Sequence, residues 1–574
     1  DGSKVAYVKE NNIYIVDIKT GIKTAVTQDG EIGKIINGKG DWVYEEEFET
    51  VKAFEWSEDG NQLVYLRFDE TEVPSYDIQY CIGEPYPLDY TFKYPKAGEK
   101  NAIVSVRYYD LKNNTHYIVF EPGKKEIYVP RVRFADGNIL YHTFNRNQDS
   151  LIVYKYNIKN KSTSILYTEN ASTYVDLYEW RYYSDLKKFF FISEMSGFKH
   201  IYTVDLNTNK VDTLTKGNWE VIDFIDYDTK KNTLFYTSNE KQEIETHFFS
   251  INTISKQKKQ LTNESGTHTV AISKKFTYFI NEHSVHDQGL TVYLRDINGN
   301  IISTLEKNAN FKNNLKKYIS SELTFSKFEN VSKDKLNYYL IKPKNFDVNK
   351  KYPLLMYLYG GPGNSQVQNQ WLGRNRLWFE YLSQKGYLIA CLDNRGTGLK
   401  GREFKHATTM QLGKLESEDQ IAFAKYMASL PYIDKDRIGL FGWSYGGYLS
   451  SLCLLLGNDV FKAAIAVAPV TNWRFYDTIY TERYLKNPKD NAVGYDQYSP
   501  ITHADKLKGN LLLIHGTADD NVHFQNTFEF QNALIESNKQ FESFFYPNKD
   551  HAINGRKTRL HLYTLMTNFI LKKL

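Results

Sequence analysis

The sequence predicts two architectures in one chain: a β-propeller, then a doubly wound, mostly parallel α/β domain. Three observations carry that reading. A tyrosine-rich strand phrase recurs through the N-terminal half. From Tyr352 the texture changes to apolar strands alternating with helical stretches. A short apolar strand, a tight glycine turn and a helix meet at Gly442-Trp443-Ser444-Tyr445-Gly446.

The recurring phrase is a hydrophobic-tyrosine strand closed by an Asp or Asn turn. It appears as Ile13-Tyr14-Ile15-Val16-Asp17 and returns at Val106 to Asp110, Val153 to Asn157, Ile201 to Asp205 and Val292 to Asp296. Polar turns such as Ser57-Glu58-Asp59-Gly60 precede some copies. A spacing of about 45 residues suits propeller blades, each a small antiparallel sheet stacked on its neighbours. Separate β-sandwiches fit less well, because no linker composition divides the units. The opening Asp1-Gly2-Ser3-Lys4-Val5-Ala6-Tyr7 reads like the middle of a repeat, so the propeller is expected to start mid-domain. It is assigned to residues 1–312. The α/β domain, with a basic, polar connector, takes residues 313–574.

Composition narrows the function classes. At 574 residues the chain exceeds one ordinary domain. A net charge of +4 makes no electrostatic case for nucleic acid or an anionic membrane. Aromatics at 15%, with 45 Tyr and 34 Phe, suit extensive β-sheet. Three scattered cysteines are no disulfide framework, and Cys391 and Cys453 lie in apolar runs that read as core. No eighteen-residue apolar stretch and no signal peptide is present.

The G-x-S-x-G turn reads as a nucleophile elbow, which makes the second domain an α/β-hydrolase. Ser444 is a poor nucleophile until an imidazole takes its proton, and an acid must orient that imidazole. In this fold both follow the serine. The strand Leu511-Leu512-Leu513-Ile514 runs into His515-Gly516-Thr517-Ala518-Asp519-Asp520, where either carboxylate could serve. His551 lies in a polar loop before the C-terminal helix, where the base should be. His503, His515, His523 and His561 compete, with His515 at a strand end and His561 inside the terminal helix. An acyl-transfer intermediate also needs donors for its oxyanion, and the residue after the nucleophile supplies one, the Tyr445 N–H. Instead of an HGGG loop the chain carries Tyr357-Leu358-Tyr359-Gly360-Gly361-Pro362-Gly363.

Taken with Asp550-His551, Ala468-Pro469-Val470, Tyr480-Thr481-Glu482-Arg483-Tyr484, Asp41-Trp42-Val43-Tyr44-Glu45-Glu46-Glu47 and Tyr94-Pro95-Lys96-Ala97-Gly98, these strings resemble the dipeptidyl peptidase IV family of the prolyl oligopeptidase superfamily. The likeness covers nearly the whole chain. It implies Asp519 as the triad acid with Ser444 and His551, and the Tyr359 hydroxyl as second oxyanion donor. It implies that Glu46 and Glu47 grip the substrate's free α-ammonium, admitting two residues before the scissile bond. It places Val470, Trp473, Tyr476, Tyr480, Tyr445 and Val522 around the residue before that bond, and Asn521 on the substrate's internal carbonyl. The family's carbonyl-binding arginine has no matching motif here and is expected upstream of this chain.

The residues themselves are compatible with those roles. Aromatic faces and β-branched walls suit a proline ring. A carboxylate pair among Trp42, Tyr44 and Phe48 is less freely hydrated than an ordinary acidic run, and can hold an ammonium by charge-assisted hydrogen bonds. Neighbours on a strand face opposite ways, so a joint grip requires a helical turn or an irregular insertion.

The expected activity is that of a serine exopeptidase releasing Xaa-Pro, and Xaa-Ala, dipeptides from peptide N-termini through an acyl-enzyme. No metal or organic cofactor is implied, since no H-E-x-x-H, Cys-His cluster or dinucleotide fingerprint occurs. The expected partners are peptides with penultimate proline or alanine, without nucleic acid or a membrane segment in this chain. A homodimer is a family expectation. The few cysteines suit a bacterial periplasmic or extracellular enzyme better than a disulfide-rich animal ectodomain. The rivals are a prolyl tripeptidyl or acylaminoacyl peptidase, a non-catalytic propeller scaffold, and a lipid or small-ester hydrolase.

Overall fold

The computed structural model describes residues 2–574. The N-terminal half is a succession of small antiparallel sheets of the propeller type. The first has three strands, Lys4–Lys9, Asn12–Asp17 and Lys23–Ala25. The second is built on Gln62–Asp69 paired with Ile103–Asp110. Four-stranded sheets follow over 127–170, 180–213, 221–260 and 267–306, each with its strands in sequence order. A separate hairpin pairs Ser75–Tyr80 with Leu88–Lys93.

Local chemistry explains the recurring phrase. Asp17, Asp110, Asn157, Asp205 and Asp296 each accept backbone N–H bonds from residues two to four further on, closing the turn with their own side chains. Inner strands are covered on both faces. Asn138–Asn145 is buried at every position but the last, so it shows no strict in-and-out alternation.

The C-terminal part forms one eight-stranded sheet. Its order is Glu322–Glu329, Lys335–Lys342, Leu388–Leu392, Tyr352–Tyr357, Ile433–Trp443, Ala463–Val467, Asn510–Gly516, Glu542–Tyr546. Pairings within the last six strands are parallel, and those of the first two are antiparallel. Leu355, Ile389, Phe441, Ile465 and Ile514 of those strands share a core with Phe379 and Leu382 of helix Gly373–Gln384 and Met566 and Ile570 of helix Arg556–Lys573.

The chain condenses into two compact units. One comprises residues up to Phe191 with Thr203–Asp212 and Trp473–Tyr495, and the other Ile192–Tyr202, Thr213–Asn472 and Asp496–Leu574. The sequence-based boundary at 312/313 falls inside helix Ala309–Tyr318, just after the last four-stranded sheet ends at Glu306. Trp473–Tyr495, inside residues 313–574, packs in the first unit. The Ala97 N–H donates to Tyr476 O and the Thr478 N–H to Pro95 O, both at 2.9 Å, and Ile479 enters the core of Val43, Tyr44 and Phe48.

Candidate active site

In the second unit, strand Ile433–Trp443 sits in the parallel part of the sheet, flanked by Tyr352–Tyr357 and Ala463–Val467. Ser444 follows its last residue, and helix Tyr445–Leu456 starts at once. The serine adopts φ 58°, ψ −118°, a region that costs an ordinary side chain on the order of 1–3 kcal/mol. Its surroundings enforce this. The Ser444 N–H donates to Val467 O at 2.9 Å, and Ser444 O accepts from the Tyr448 N–H at 3.0 Å. A Cβ on Gly442 would lie 2.1 Å from Gly446 O, and one on Gly446 would lie 2.1 Å from Leu358 O. Both glycines are therefore required by close backbone approach.

The acid and base come from loops at the carboxyl ends of the next strands. After Asn510–Gly516 the fully buried Asp519 accepts the His551 Nδ1–H at 2.7 Å on Oδ2. Its Oδ1 accepts the backbone N–H groups of Asn521 at 3.1 Å and Val522 at 2.9 Å. His515 also meets Oδ2, at 3.1 Å, and is itself held by Val522 O and Thr527 Oγ1, both at 2.7 Å. Burial alone would raise the Asp519 pKa, but the adjoining His551 and His515 outweigh it and hold the group at about 2. The carboxylate therefore stays ionised and fixes the imidazole by its Nδ1, leaving Nε2 for proton transfer. His551 is anchored again by its carbonyl, which accepts the Trp443 Nε1–H at 3.0 Å. His503 bonds instead to Gln497 O and His561 to the Tyr546 hydroxyl.

Tyr359 follows strand Tyr352–Tyr357, and its ring lies 6.1 Å from that of Tyr445. Val470 and Val522 are buried, and Asn521 is half-buried on the acid loop. Tyr359, Tyr445, Val470, Asn521 and Val522 thus belong to the same unit as Ser444, Asp519 and His551.

The other predicted residues gather in the first unit. Trp42–Glu47 is a short α-helix, started by Asp41, whose carboxylate accepts the Tyr44 N–H at 3.0 Å. It meets the helical-turn condition for Glu46 and Glu47 to act together. The helix packs on Thr478–Leu485, which carries Tyr480. Just before it stand Trp473 and Tyr476, and the three rings enclose one another. Trp473 stacks on Tyr480 at 5.7 Å, while Tyr476 meets Trp473 at 5.8 Å and Tyr480 at 5.3 Å edge-on. Glu46 is exposed and Glu47 half-buried.

Sequence reasoning missed Asp477. It is fully buried, caps helix Thr478–Leu485 through the Tyr480 N–H at 2.9 Å, and lies beside Glu47. Burial pushes Asp477 up to about 7, and burial together with the Asp477 charge raises Glu47 too. The cap position before Thr478 was the available signal. His515, one of the competing histidines in sequence, is a direct support of Asp519.

Residues 1–288 match the family model of the dipeptidyl peptidase IV N-terminal region, and residues 375–574 that of the prolyl oligopeptidase family. Dipeptidyl peptidase 4 of Trichophyton equinum is 33% identical over 99% of this chain and 76% of its own length. Prolyl endopeptidase FAP of Homo sapiens is 33% identical over 99% of this chain and 78% of its own. The crystal structure of Porphyromonas gingivalis dipeptidyl peptidase 4 matches with a TM-score of 0.96 at 39% identity, covering 100% of this chain and 82% of that one.

Proposed function

We propose a proline-directed substrate choice and residue roles on a premise already shown: this chain belongs to the dipeptidyl peptidase IV family of prolyl oligopeptidase-type serine peptidases. It is a serine dipeptidyl exopeptidase. The observation that carries the finer reading is the helix of Glu46 and Glu47 packed on the helix of Tyr480, with Trp473 and Tyr476 beside it. Two carboxylates suit an α-ammonium, and the rings suit a proline or a small alanine side chain. Holding the ammonium fixes the register of the peptide and excludes capped or longer N-termini.

Ser444 Oγ attacks the carbonyl carbon of the second residue, and His551 Nε2 takes its proton. Asp519 keeps the imidazole oriented and stabilises the imidazolium. The Tyr445 N–H and the Tyr359 hydroxyl donate to the oxyanion, at about 3 kcal/mol per donor. His551 then protonates the leaving amine, and water repeats the sequence on the acyl-enzyme to free the dipeptide. Asn521 binds the internal carbonyl, and Val470 and Val522 present apolar walls. Hydrolysis of a chromogenic panel tests the reading. Xaa-Pro amides should be cleaved and Xaa-Xaa-Pro amides spared, and preference for the tripeptidyl substrates would overturn it.

Tyr359→Phe should lower kcat by about 100-fold while KM stays within about threefold, because the hydroxyl meets charge present only in the transition state. Steady-state kinetics checks this. A raised KM with unchanged kcat would reduce Tyr359 to packing. The homodimer implied by family resemblance is supported by the exposed apolar side chains Ile82, Tyr86, Leu88 and Tyr90 around the hairpin. The periplasmic or extracellular bacterial location rests on the sparse cysteines, three in 574 residues.

A further inference from the structure

We propose that Glu416 is a positioning residue for the oxyanion hole, acting through the side chain of Tyr445. The proposal rests on the oxyanion role assigned above to the Tyr445 N–H. Glu416 lies in the first turn of helix Lys414–Ala428 and is fully buried. Its Oε1 accepts the Tyr445 hydroxyl at 2.7 Å. Its Oε2 is buried without a hydrogen-bond partner among the described residues. A carboxyl buried this deeply is costly unless its bond to the phenol does something specific.

The bond ties the residue after the nucleophile to a second helix. Tyr445 is 2% exposed and opens helix Tyr445–Leu456, so its backbone N–H belongs to the first turn beyond Ser444. A ring held at its far end cannot swing, and the backbone at its near end keeps its aim. Neighbouring contacts brace the same clamp. The Tyr448 hydroxyl shares its one proton between Leu412 O at 3.0 Å and Tyr498 O at 2.9 Å, and the Tyr445 and Tyr448 rings meet edge-on at 5.5 Å. Gly413, just before the Glu416 helix, has φ +89°, and a Cβ there would lie 2.0 Å from the Tyr448 hydroxyl. Asp419, one turn on, is occupied by Arg395 at 2.9 Å, which leaves Glu416 to Tyr445. Burial pushes Glu416 up to about 7, against the pull of the Gly413 and Glu416 amides and the Tyr445 hydroxyl. The carboxyl thus enters the neutral range with its acceptor oxygen still in place.

The test is a double-mutant cycle on chromogenic dipeptidyl amides. Glu416→Leu and Tyr445→Phe should each lower kcat by roughly 10- to 100-fold with KM within about threefold, and the double variant should be no worse than either single one. Glu416→Gln keeps an acceptor for the hydroxyl and should retain kcat within about threefold. Multiplying effects in the double variant would overturn the proposal, as would a Glu416→Leu enzyme at full kcat. Should Glu416→Leu fail to fold, Tyr445→Phe removes the hydroxyl alone, and an unchanged kcat in that variant refutes the clamp.

Discussion

Ser444→Ala is expected to lower kcat by about 10⁵-fold or more, with substrate binding and fold retained. The elbow geometry is the reason. Ser444 is the single residue between strand Ile433–Trp443 and helix Tyr445–Leu456, so its Oγ is presented at the turn. The strain at φ 58°, ψ −118° belongs to the backbone and stays in the alanine variant. Ser444→Gly should be equally inactive but more stable by about 1 kcal/mol, because glycine occupies that region without penalty. Asp519→Asn should lose roughly 10⁴-fold in kcat, since an amide cannot hold the same imidazole tautomer. Asp520→Asn should be far milder, because Asp519 is the carboxylate bonded to His551. Stopped-time assays with fluorophosphonate labelling check all four. An active Ser444→Ala enzyme free of contaminating hydrolase removes the nucleophile assignment, and a worse Asp520→Asn enzyme moves the acid.

Glu47→Gln is expected to reduce kcat/KM on free-amine dipeptidyl amides by at least about 30-fold, and Glu46→Gln by less. Truncating one partner of a desolvated ion pair costs about 2–5 kcal/mol. Glu47 is half-buried beside Asp477 and near Arg483, while Glu46 is exposed and better hydrated. The pH dependence follows in sign. Asp477 is held neutral until about pH 7 by burial, and Glu47 is raised as well. The Asp477 charge therefore appears only as pH rises into the neutral range, that of Glu47 at higher pH than for an ordinary carboxylate, and KM should fall as the charges develop. It should rise again once the substrate ammonium deprotonates at about pH 7.7–8.0. In Glu47→Gln the acidic side of that profile should flatten. Equal kcat/KM in wild type and both glutamine variants would show that the carboxylates do not hold the amine.

What was legible in the sequence was local. The elbow is contiguous, so strand, glycine turn and helix can be read together. The propeller phrase is legible because each Asp or Asn closes its own turn through its own side chain. Asp519 and Asp520 are inseparable in sequence, being adjacent on one glycine turn, and only the approach of His551 distinguishes them. Glu416-Ser417-Glu418-Asp419 has the look of a solvated face, yet Glu416 and Asp419 are buried because Tyr445 and Arg395 partner them. Glu47 and Asp477 meet across most of the chain, through Ile479 packed against Val43 and Tyr44. No periodicity announces such a meeting. Asp41 was the one local clue that Glu46 and Glu47 lie on a helix, as a cap residue just ahead of it.

The proposed function requires a free α-amine on the substrate for cleavage. The direct measurement is kcat/KM for Gly-Pro and acetyl-Gly-Pro chromogenic amides on the wild-type chain. Acetylation removes the ammonium charge and adds bulk where the carboxylates would hold it. The free-amine substrate should be preferred by at least about 100-fold. Equal cleavage of the two would contradict it and leave an endopeptidase or acylaminoacyl peptidase in its place.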